Sequence, residues 1–385
     1  KLICPKQSTK LSTGSVENAG LDKRSETILQ VAVDVPLRTC FDYLPPEGRP
    51  APPPGARVWV RFGRSRQVGV VFGTATGSAL PAARLRRVEA VIDDEPVLDS
   101  PLLELLRWAA DYYVHPPGEV CAAALPALLR QGRPARRERR GLKLTPAGAA
   151  IDPASLPRAP RQAALLELLA GGARWEDDPA LAGLGQGWRA IARRLAEKGW
   201  IEAGVPTAGP AATPRPRDPG PQLTADQARA VAAMVGALGA FRPLLLHGVT
   251  GSGKTEVYLG VIDAVLGRGE QALVLVPEIG LTPQLLERFR ARFDVPIVAL
   301  HSGLTAAERL AAWRAARDGE AGVVIGTRSA VFTPLARCGL IVVDEEHDAS
   351  LKQQDGFRYS ARDLAVVRGR LQGVPVVLGS ATPSL

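Results

Sequence analysis

Cysteine is scarce in this chain and spaced for neither of its usual structural uses. The four cysteines among 385 residues, Cys4, Cys40, Cys121 and Cys338, lie far apart with no C-x-x-C pair. Neither a zinc site nor a disulfide framework is indicated, and a reducing cytoplasm is the natural compartment. Long apolar runs are also missing. No stretch reaches the roughly 18 residues that a membrane helix needs. Residues 1–26 are polar, lack periodicity and carry no apolar signal core, so they read as a flexible leader, and secretion and membrane partners are not expected. Acid falls short of base: 39 Asp and Glu against 48 Lys and Arg leave a net charge of +9. That balance favours a polyanionic partner such as nucleic acid, unless it only reflects an arginine-rich composition. The length is enough for about two to four domains.

What is present is organised around Leu244–Glu256, LLLHGVTGSGKTE. Leu244, Leu245 and Leu246 read as a buried strand, Gly248 to Thr255 fits G-x-x-x-x-G-K-[ST], and a helix follows. Backbone N–H groups wrap a phosphate only where side chains do not obstruct them, which is the use of Gly248, Gly251 and Gly253. Lys254 is expected to reach the β- and γ-phosphates of ATP and Thr255 to ligate Mg²⁺, with Thr250 and Ser252 completing the loop. Leu340–Val343 is a second short apolar run, ending in Asp344, Glu345, Glu346 and His347. A carboxylate at the end of a buried strand beside a phosphate loop can hold Mg²⁺, and the next one can orient or deprotonate the attacking water. Asp344 is assigned to the metal and Glu345 to the base, against the plainer reading of an acidic loop that caps a helix. Thr224 and Gln227 form a capping box, yet a glutamine just before a phosphate loop also suits the N6 and N7 edges of adenine, so Gln227 has two readings.

From Ile28 to Val91, short alternating runs broken by Pro and Gly predict a small β-barrel or sandwich, with strands at 28–35, 57–62, 67–74 and 86–92. Ser100 is the expected cap of a helix that runs to about Val114, whose Trp108, Tyr112 and Tyr113 read as core. A second helix spans 119–130. Arg130–Arg140 carries six arginines in eleven residues and is either a solvated linker or a strap on phosphates. Helix 161–170, basic helix 187–198 and a strand after Trp200 suggest a winged helix whose second helix lies on DNA. The Pro-rich stretch 205–221 marks the clearest boundary. Beyond it, βα alternation predicts an open parallel sheet with all its polar loops on one edge. Thr327, Arg328 and the hydroxyl-rich Ser380, Ala381, Thr382 turn there suit a sugar-phosphate backbone.

The motifs GVTGSGKT, VPEIGLTPQ, HSGL, GTRSA, DEEH and GSATP, in this order, resemble the first motor lobe of superfamily 2 helicases. More closely, together with TCFDYLPPEG, RVWVRFG, WAADYYVHPPGEV and ALPALLRQGRPARR, they resemble the PriA family of primosomal replication-restart DNA helicases. The resemblance implies a multidomain α+β and α/β fold. Its parts are a flexible leader at 1–26, a β-barrel 3′-end-binding domain at 27–130, a winged-helix domain at 131–205, a linker at 206–221 and a RecA-like P-loop lobe at 222–385. It implies that Phe41, Asp42, Tyr43, Gly63 and Arg86 hold the 3′ end of a nascent leading strand, Asp42 accepting the terminal hydroxyl. It implies that Phe357 and Arg358, in an aromatic-rich loop, touch single-stranded DNA, and that His347, Ser380 and Thr382 couple DNA to ATP turnover. Leu351, Phe357 and Ser360 stand where that family has Tyr, Trp and His, leaving fewer stacking faces.

The expected activity is ATP-dependent, 3′ to 5′ unwinding of lagging-strand duplex at stalled or abandoned forks, followed by primosome assembly. Partners implied are forked and single-stranded DNA, single-strand-binding protein and helicase-loading proteins, for a monomer at cytoplasmic, nucleoid-associated forks. Zinc belongs to the family, but its ligands and the second motor lobe are not in these residues, so weak nucleotide binding and poor hydrolysis are expected of this chain alone. The alternative is a fork-binding scaffold with a vestigial motor.

Overall fold

The computed structural model describes residues 27–136, 141–175, 179–185, 187–204, 220–249 and 251–383. The expected leader, Arg137–Arg140, most of the Pro-rich linker and Thr250 lie outside them. Among the described residues, no helix is long and apolar enough to cross a membrane.

The first region is a curled six-stranded sheet made of β1 (Ile28–Val33), β2 (Phe41–Leu44), β3 (Arg57–Phe62), β4 (Ser65–Ala75), β5 (Arg86–Arg87) and β6 (Ala90–Val91), in the order β5-β2-β1-β4-β3-β6. Alternation sends Leu29, Val31, Val33, Tyr43, Val58, Val60 and Val71 into one core, as a pleat with a two-residue period must. The expected strand at 86–92 is two short pieces, because Val88 turns inward between them and its N–H bonds to Leu44. The opposite face packs Ala32, Val70 and Phe72 against helices α1 (Ser100–Tyr112) and α2 (Pro117–Ala124).

Asp99, and not Ser100, caps α1, its carboxylate accepting from Leu102 N–H, so Ser100 is the first helical residue. The single helix expected over 119–130 is broken at Leu125, since the residue before Pro126 is pushed to extended backbone; α3 (Ala127–Arg130) follows. Trp108 and Tyr113 pack on the core as expected, but Tyr112 is 61% exposed.

The backbone of the basic stretch after α3 is not a free linker where it is described, while the side chains of Arg130, Arg133 and Arg136 stay exposed. Arg57 is fully buried and ion-paired to Asp93 at 2.7 Å, and it donates to the Leu129 and Arg133 carbonyls. Asp93 also accepts from Ala135 N–H, while Arg314 donates to the Pro134 and Ala135 carbonyls. The segment is thus wedged between the curled sheet and the parallel sheet's helices.

A small helical unit comes next: β7 (Gly141–Leu144), α4 (Pro146–Ala149), α5 (Pro160–Ala170), β8 (Arg174–Trp175), α6 (Pro179–Gly183), α7 (Trp188–Glu197) and β9 (Ile201–Ala203), with strand order β8-β7-β9. Leu165, Leu166, Leu169, Trp188, Leu195 and Ile201 form its core. The other side of α7 leaves Arg189, Arg193 and Arg194 in solvent.

The last region is the parallel sheet. Its strands are β10 (Pro243–His247), β11 (Gln271–Leu275), β12 (Ile297–Leu300), β13 (Val323–Gly326), β14 (Cys338–Val343) and β15 (Val376–Ser380), in the order β10-β15-β14-β11-β13-β12. Helices α8 (Ala225–Val235), α9 (Lys254–Gly267), α10 (Pro283–Arg292), α11 (Ala306–Arg317) and α12 (Ala361–Gln372) cover it. Strands β11 and β13 are buried throughout, as double-sided cover demands. β10 is different. It is an edge strand, and Leu245 is 54% exposed, so the expectation of a buried strand there is corrected. Three leucines in a row carry no information about whether a strand is central or marginal.

Candidate nucleotide and nucleic-acid sites

Parallel pairing puts the carboxyl ends of β10, β14, β15 and β11 on one edge, and the expected chemistry collects there. The turn after β10 begins at Gly248, whose N–H bonds to the Ser380 carbonyl at 3.1 Å. Gly251 and Gly253 have φ of 80° and 81°, in the left-handed region that favours glycine. At Gly253 a side chain would also meet the Gln227 amide at 2.4 Å. α9 starts at Lys254, so its first free N–H groups face the loop.

Lys254 is nearly buried. Its ammonium donates to the Gly248 carbonyl at 2.9 Å and ion-pairs with Glu345 at 3.2 Å. The two motifs, distant in sequence, therefore meet at one point. Glu345 has φ of 44°, a conformation non-glycine residues rarely hold; it turns the acidic loop sharply after β14. Asp344 is mostly buried and accepts from the Tyr258 hydroxyl at 3.0 Å. Burial pushes its carboxyl above the ordinary range, with the Tyr258 hydrogen bond opposing. Burial also raises the Tyr258 phenol far beyond its usual value, and the neighbouring Asp344 adds to this.

His347 Nδ1 lies 2.8 Å from Ser380 Oγ and 3.8 Å from Glu345, and Thr382 N–H donates to the same Ser380 oxygen at 3.1 Å. His347, Ser380 and Thr382 are thus joined to the acidic loop by direct contacts. Glu346, part of the acidic cluster but given no separate role, is buried and paired with Arg362 at 3.0 Å. Gln227 completes the capping box with Thr224, and its Nε2 donates to the Ser252 carbonyl at 2.9 Å. Its amide is already committed to the helix cap and to the phosphate loop, so an adenine contact would require it to exchange partners. Thr255 has no hydrogen-bond partner for its hydroxyl among the described residues. The hydroxyl of Thr255 and the carboxylate of Asp344 are hard oxygen donors of the kind Mg²⁺ takes alongside substrate phosphates, so this donor set fits the metal.

On the same edge, Thr327 is buried, and Arg328 donates to the Ser350 carbonyl at 3.3 Å with Glu278 3.9 Å away. Arg358 is exposed. Phe357, expected to offer a stacking face, is buried against Tyr113, His115, Phe332 and Tyr359. Leu351 is buried as well, and Ser360 N–H donates to the Tyr113 hydroxyl at 3.1 Å. The loop after the acidic motif is therefore folded onto α1.

In the curled sheet, Tyr43 pairs in register with Arg86, and Phe41 meets Phe62, the neighbour of Gly63, with ring centroids 4.7 Å apart. Gly63 has φ of 58° with open space where a Cβ would stand. Asp42 differs from these. Strand alternation points it to the other face of β2, where Ser78 Oγ donates to it at 2.5 Å. Tyr43 is buried and donates to the Arg61 carbonyl at 3.1 Å. Ser78 and Tyr258 escaped the sequence reading because a lone hydroxyl in a loop or a helix carries no motif.

Comparison with known proteins accords with this division. Residues 30–126 match the 3′DNA-binding domain (3′BD) family of PriA, and residues 224–384 match the DEAD/DEAH box helicase family. The chain is 40% identical over 368 residues to the replication restart protein PriA of Haemophilus influenzae, covering 93% of this chain and 49% of that protein. To its counterpart in Synechocystis sp. it is 54% identical over 166 residues, 43% of this chain and 20% of that one. The structure of RecG bound to a three-way DNA junction aligns with 43% of this chain and 21% of that chain at 26% identity, with a TM-score of 0.33 that carries no further step. The chain spans about half the length of curated relatives that it matches along nearly its whole length. With both domain families in sequence order and this identity along nearly its whole length, the chain is similar to the N-terminal half of PriA replication restart proteins.

Proposed function

We propose that this chain is the fork-recognising and nucleotide-binding part of an ATP-dependent DNA helicase that restarts replication. The convergence of Lys254 with Glu345 at 3.2 Å carries the reading. An ammonium held in a glycine-lined loop, with Asp344 adjoining, is the arrangement that phosphoryl transfer from ATP uses. When nucleotide enters, Lys254 exchanges Gly248 and Glu345 for the β- and γ-phosphates. Glu345, released, orients the attacking water and takes its proton. Thr255 and Asp344 would hold Mg²⁺, which would supply positive charge against the negative charge of the phosphate oxygens. His347, Ser380 and Thr382 would relay the presence of DNA to the acidic loop through the contacts they already make.

The finer reading follows the family. Phe41, Tyr43, Gly63 and Arg86 frame the 3′ end of a nascent strand, with Asp42 accepting its hydroxyl once Ser78 gives way. Thr327, Arg328 and Arg358 line the strand path. Unwinding runs 3′ to 5′ on lagging-strand duplex, and single-strand-binding and helicase-loading proteins join on the cytoplasmic nucleoid.

One observation favours a second reading, a fork-binding scaffold without unwinding: Phe357 and Leu351 are folded inward, leaving the loop little stacking surface. ATP turnover by the full-length protein, with and without forked DNA and beside Lys254→Ala, separates the two. Strong DNA stimulation lost on substitution supports the motor; no stimulation and no effect of the substitution supports the scaffold.

A further inference from the structure

The phenol of Tyr258 reaches a carboxylate that the nucleotide-binding reading needs, although no motif includes it. Tyr258 lies one helical turn after Lys254 on α9, so the two side chains share a face. They engage consecutive residues of the acidic loop: Lys254 pairs with Glu345 at 3.2 Å, and Tyr258 donates to Asp344 Oδ1 at 3.0 Å. The left-handed turn at Glu345 lets two neighbouring carboxylates both meet α9. The second oxygen of Asp344 is left without a side-chain partner among the described residues.

The same phenol lies against the end of β15. A Cβ placed on Gly379 would stand 1.5 Å from the Tyr258 oxygen and 3.2 Å from Asp344 Oδ1. The Gly379 carbonyl accepts from Glu346 N–H at 2.9 Å, and the next carbonyl, of Ser380, accepts from Gly248 N–H. Only a residue without a side chain lets phenol, carboxylate and strand end pack this closely. A phenylalanine would fill the same space, so filling space does not require the hydroxyl. What the hydroxyl adds is a fixed direction for Asp344.

We infer that Tyr258 is a positioning residue that aims the Asp344 carboxylate at the metal of a bound Mg²⁺–nucleotide, with Gly379 kept small to admit it. The inference rests on the nucleotide-binding reading above and deepens it. Groups that orient a metal ligand from behind typically change metal affinity by about 10- to 100-fold when removed.

The test is binding of a fluorescent ATP analogue to the 385-residue chain in Mg²⁺ and in EDTA, with thermal melting followed alongside. Tyr258→Phe should bind about tenfold more weakly than the parent in Mg²⁺, and within about twofold of it in EDTA. In an Asp344→Asn background the same substitution should have no further effect, which a general packing defect would not reproduce. Gly379→Ala, which keeps the hydroxyl but displaces it, should show the same Mg²⁺-specific loss. The proposal is overturned if Tyr258→Phe matches the parent in Mg²⁺, if its loss is equal in EDTA, or if the loss persists beside Asp344→Asn. Should the parent bind no nucleotide in either arm, the nucleotide-binding reading itself fails and the proposal falls with it. If the parent binds but Tyr258→Phe is silent, only the positioning role is lost.

Discussion

The curled sheet and the parallel sheet build their candidate sites by opposite means. In the parallel sheet the functional side chains sit in loops beyond the strand ends, and distant motifs are tied by direct contacts: Lys254 to Glu345, Tyr258 to Asp344, His347 to Ser380. In the curled sheet they sit within or beside strands, where the pleat decides their direction. There Phe41 and Tyr43 join the inner core while Asp42 faces away towards Ser78. Loops at a sheet edge are free to converge on one ligand. Residues in a strand are divided between two faces whatever the ligand, so Phe41 and Tyr43 lie on one face of β2 and Asp42 on the other.

The largest expected effect tests whether the two sheets are energetically separate. Arg57 is fully buried, and Asp93 nearly so, under the segment that joins the sheets. Arg57→Ala would leave Asp93 as a buried, unpaired charge, at a cost of about 3–5 kcal/mol of folding stability. Chemical denaturation followed by tryptophan fluorescence would measure it. If the sheets are independent, the N-terminal transition moves to lower denaturant while nucleotide affinity below the transition stays unchanged. A parallel loss of nucleotide affinity would show that the wedge at Pro134 and Ala135, held by Arg314, links the two sites.

Next in size is Lys254→Ala, which removes the cation of the phosphate site. Hydrogen bonds to charged groups contribute about 1.5–3 kcal/mol, so nucleotide affinity should fall by at least about tenfold. Binding of DNA with a free 3′ end should be unaffected. A coupled loss of DNA binding in the absence of nucleotide would contradict the separation.

The contrast also explains what the sequence could reveal. The phosphate loop and the Asp344 to His347 cluster were legible because each is a short contiguous motif whose residue types have few other uses. Their meeting followed from βα alternation, which fixes the edge on which loops emerge. Tyr258 was not legible, because in EVYLGVIDAVL it reads as one more apolar position, and its partner lies 86 positions away. Arg57 was hidden by the alternation of RVWVRF, which suggests an exposed charge at the start of a strand. Arg130 to Arg136 drew attention to its side chains, which stay exposed, and gave no sign that the carbonyls of Arg133, Pro134 and Ala135 anchor the stretch. Phe357 was assigned a face for DNA from its place in a motif, and a place in a motif does not report burial.

A smaller effect is expected at Asp42. Asp42→Ala should remove the preference for a free 3′-hydroxyl over a blocked end, roughly tenfold for one hydrogen bond to a charged group. Fluorescence anisotropy with paired oligonucleotides reads this directly. Ser78→Ala sharpens the comparison: freeing the carboxylate should strengthen 3′-hydroxyl binding if Ser78 competes for Asp42, and weaken it if Ser78 holds Asp42 in place.

The smallest effect concerns the strand that the sequence made look most buried. Leu245 is 54% exposed on edge strand β10, whereas Leu273 on central β11 is fully buried. Leu273→Ala should cost about 2–5 kcal/mol by opening a cavity. Leu245→Ser should stay within about 0.5 kcal/mol, as exposed positions do. Both positions are leucines within strands of the same sheet, so a difference of this size would come chiefly from how each is buried. If Leu245→Ser instead cost about 2 kcal/mol or more, the side chain would have to be covered in solution. The unpaired backbone groups of β10 would then be the place to look for what covers it, because a free strand edge with an apolar neighbour is the surface most ready to take another strand.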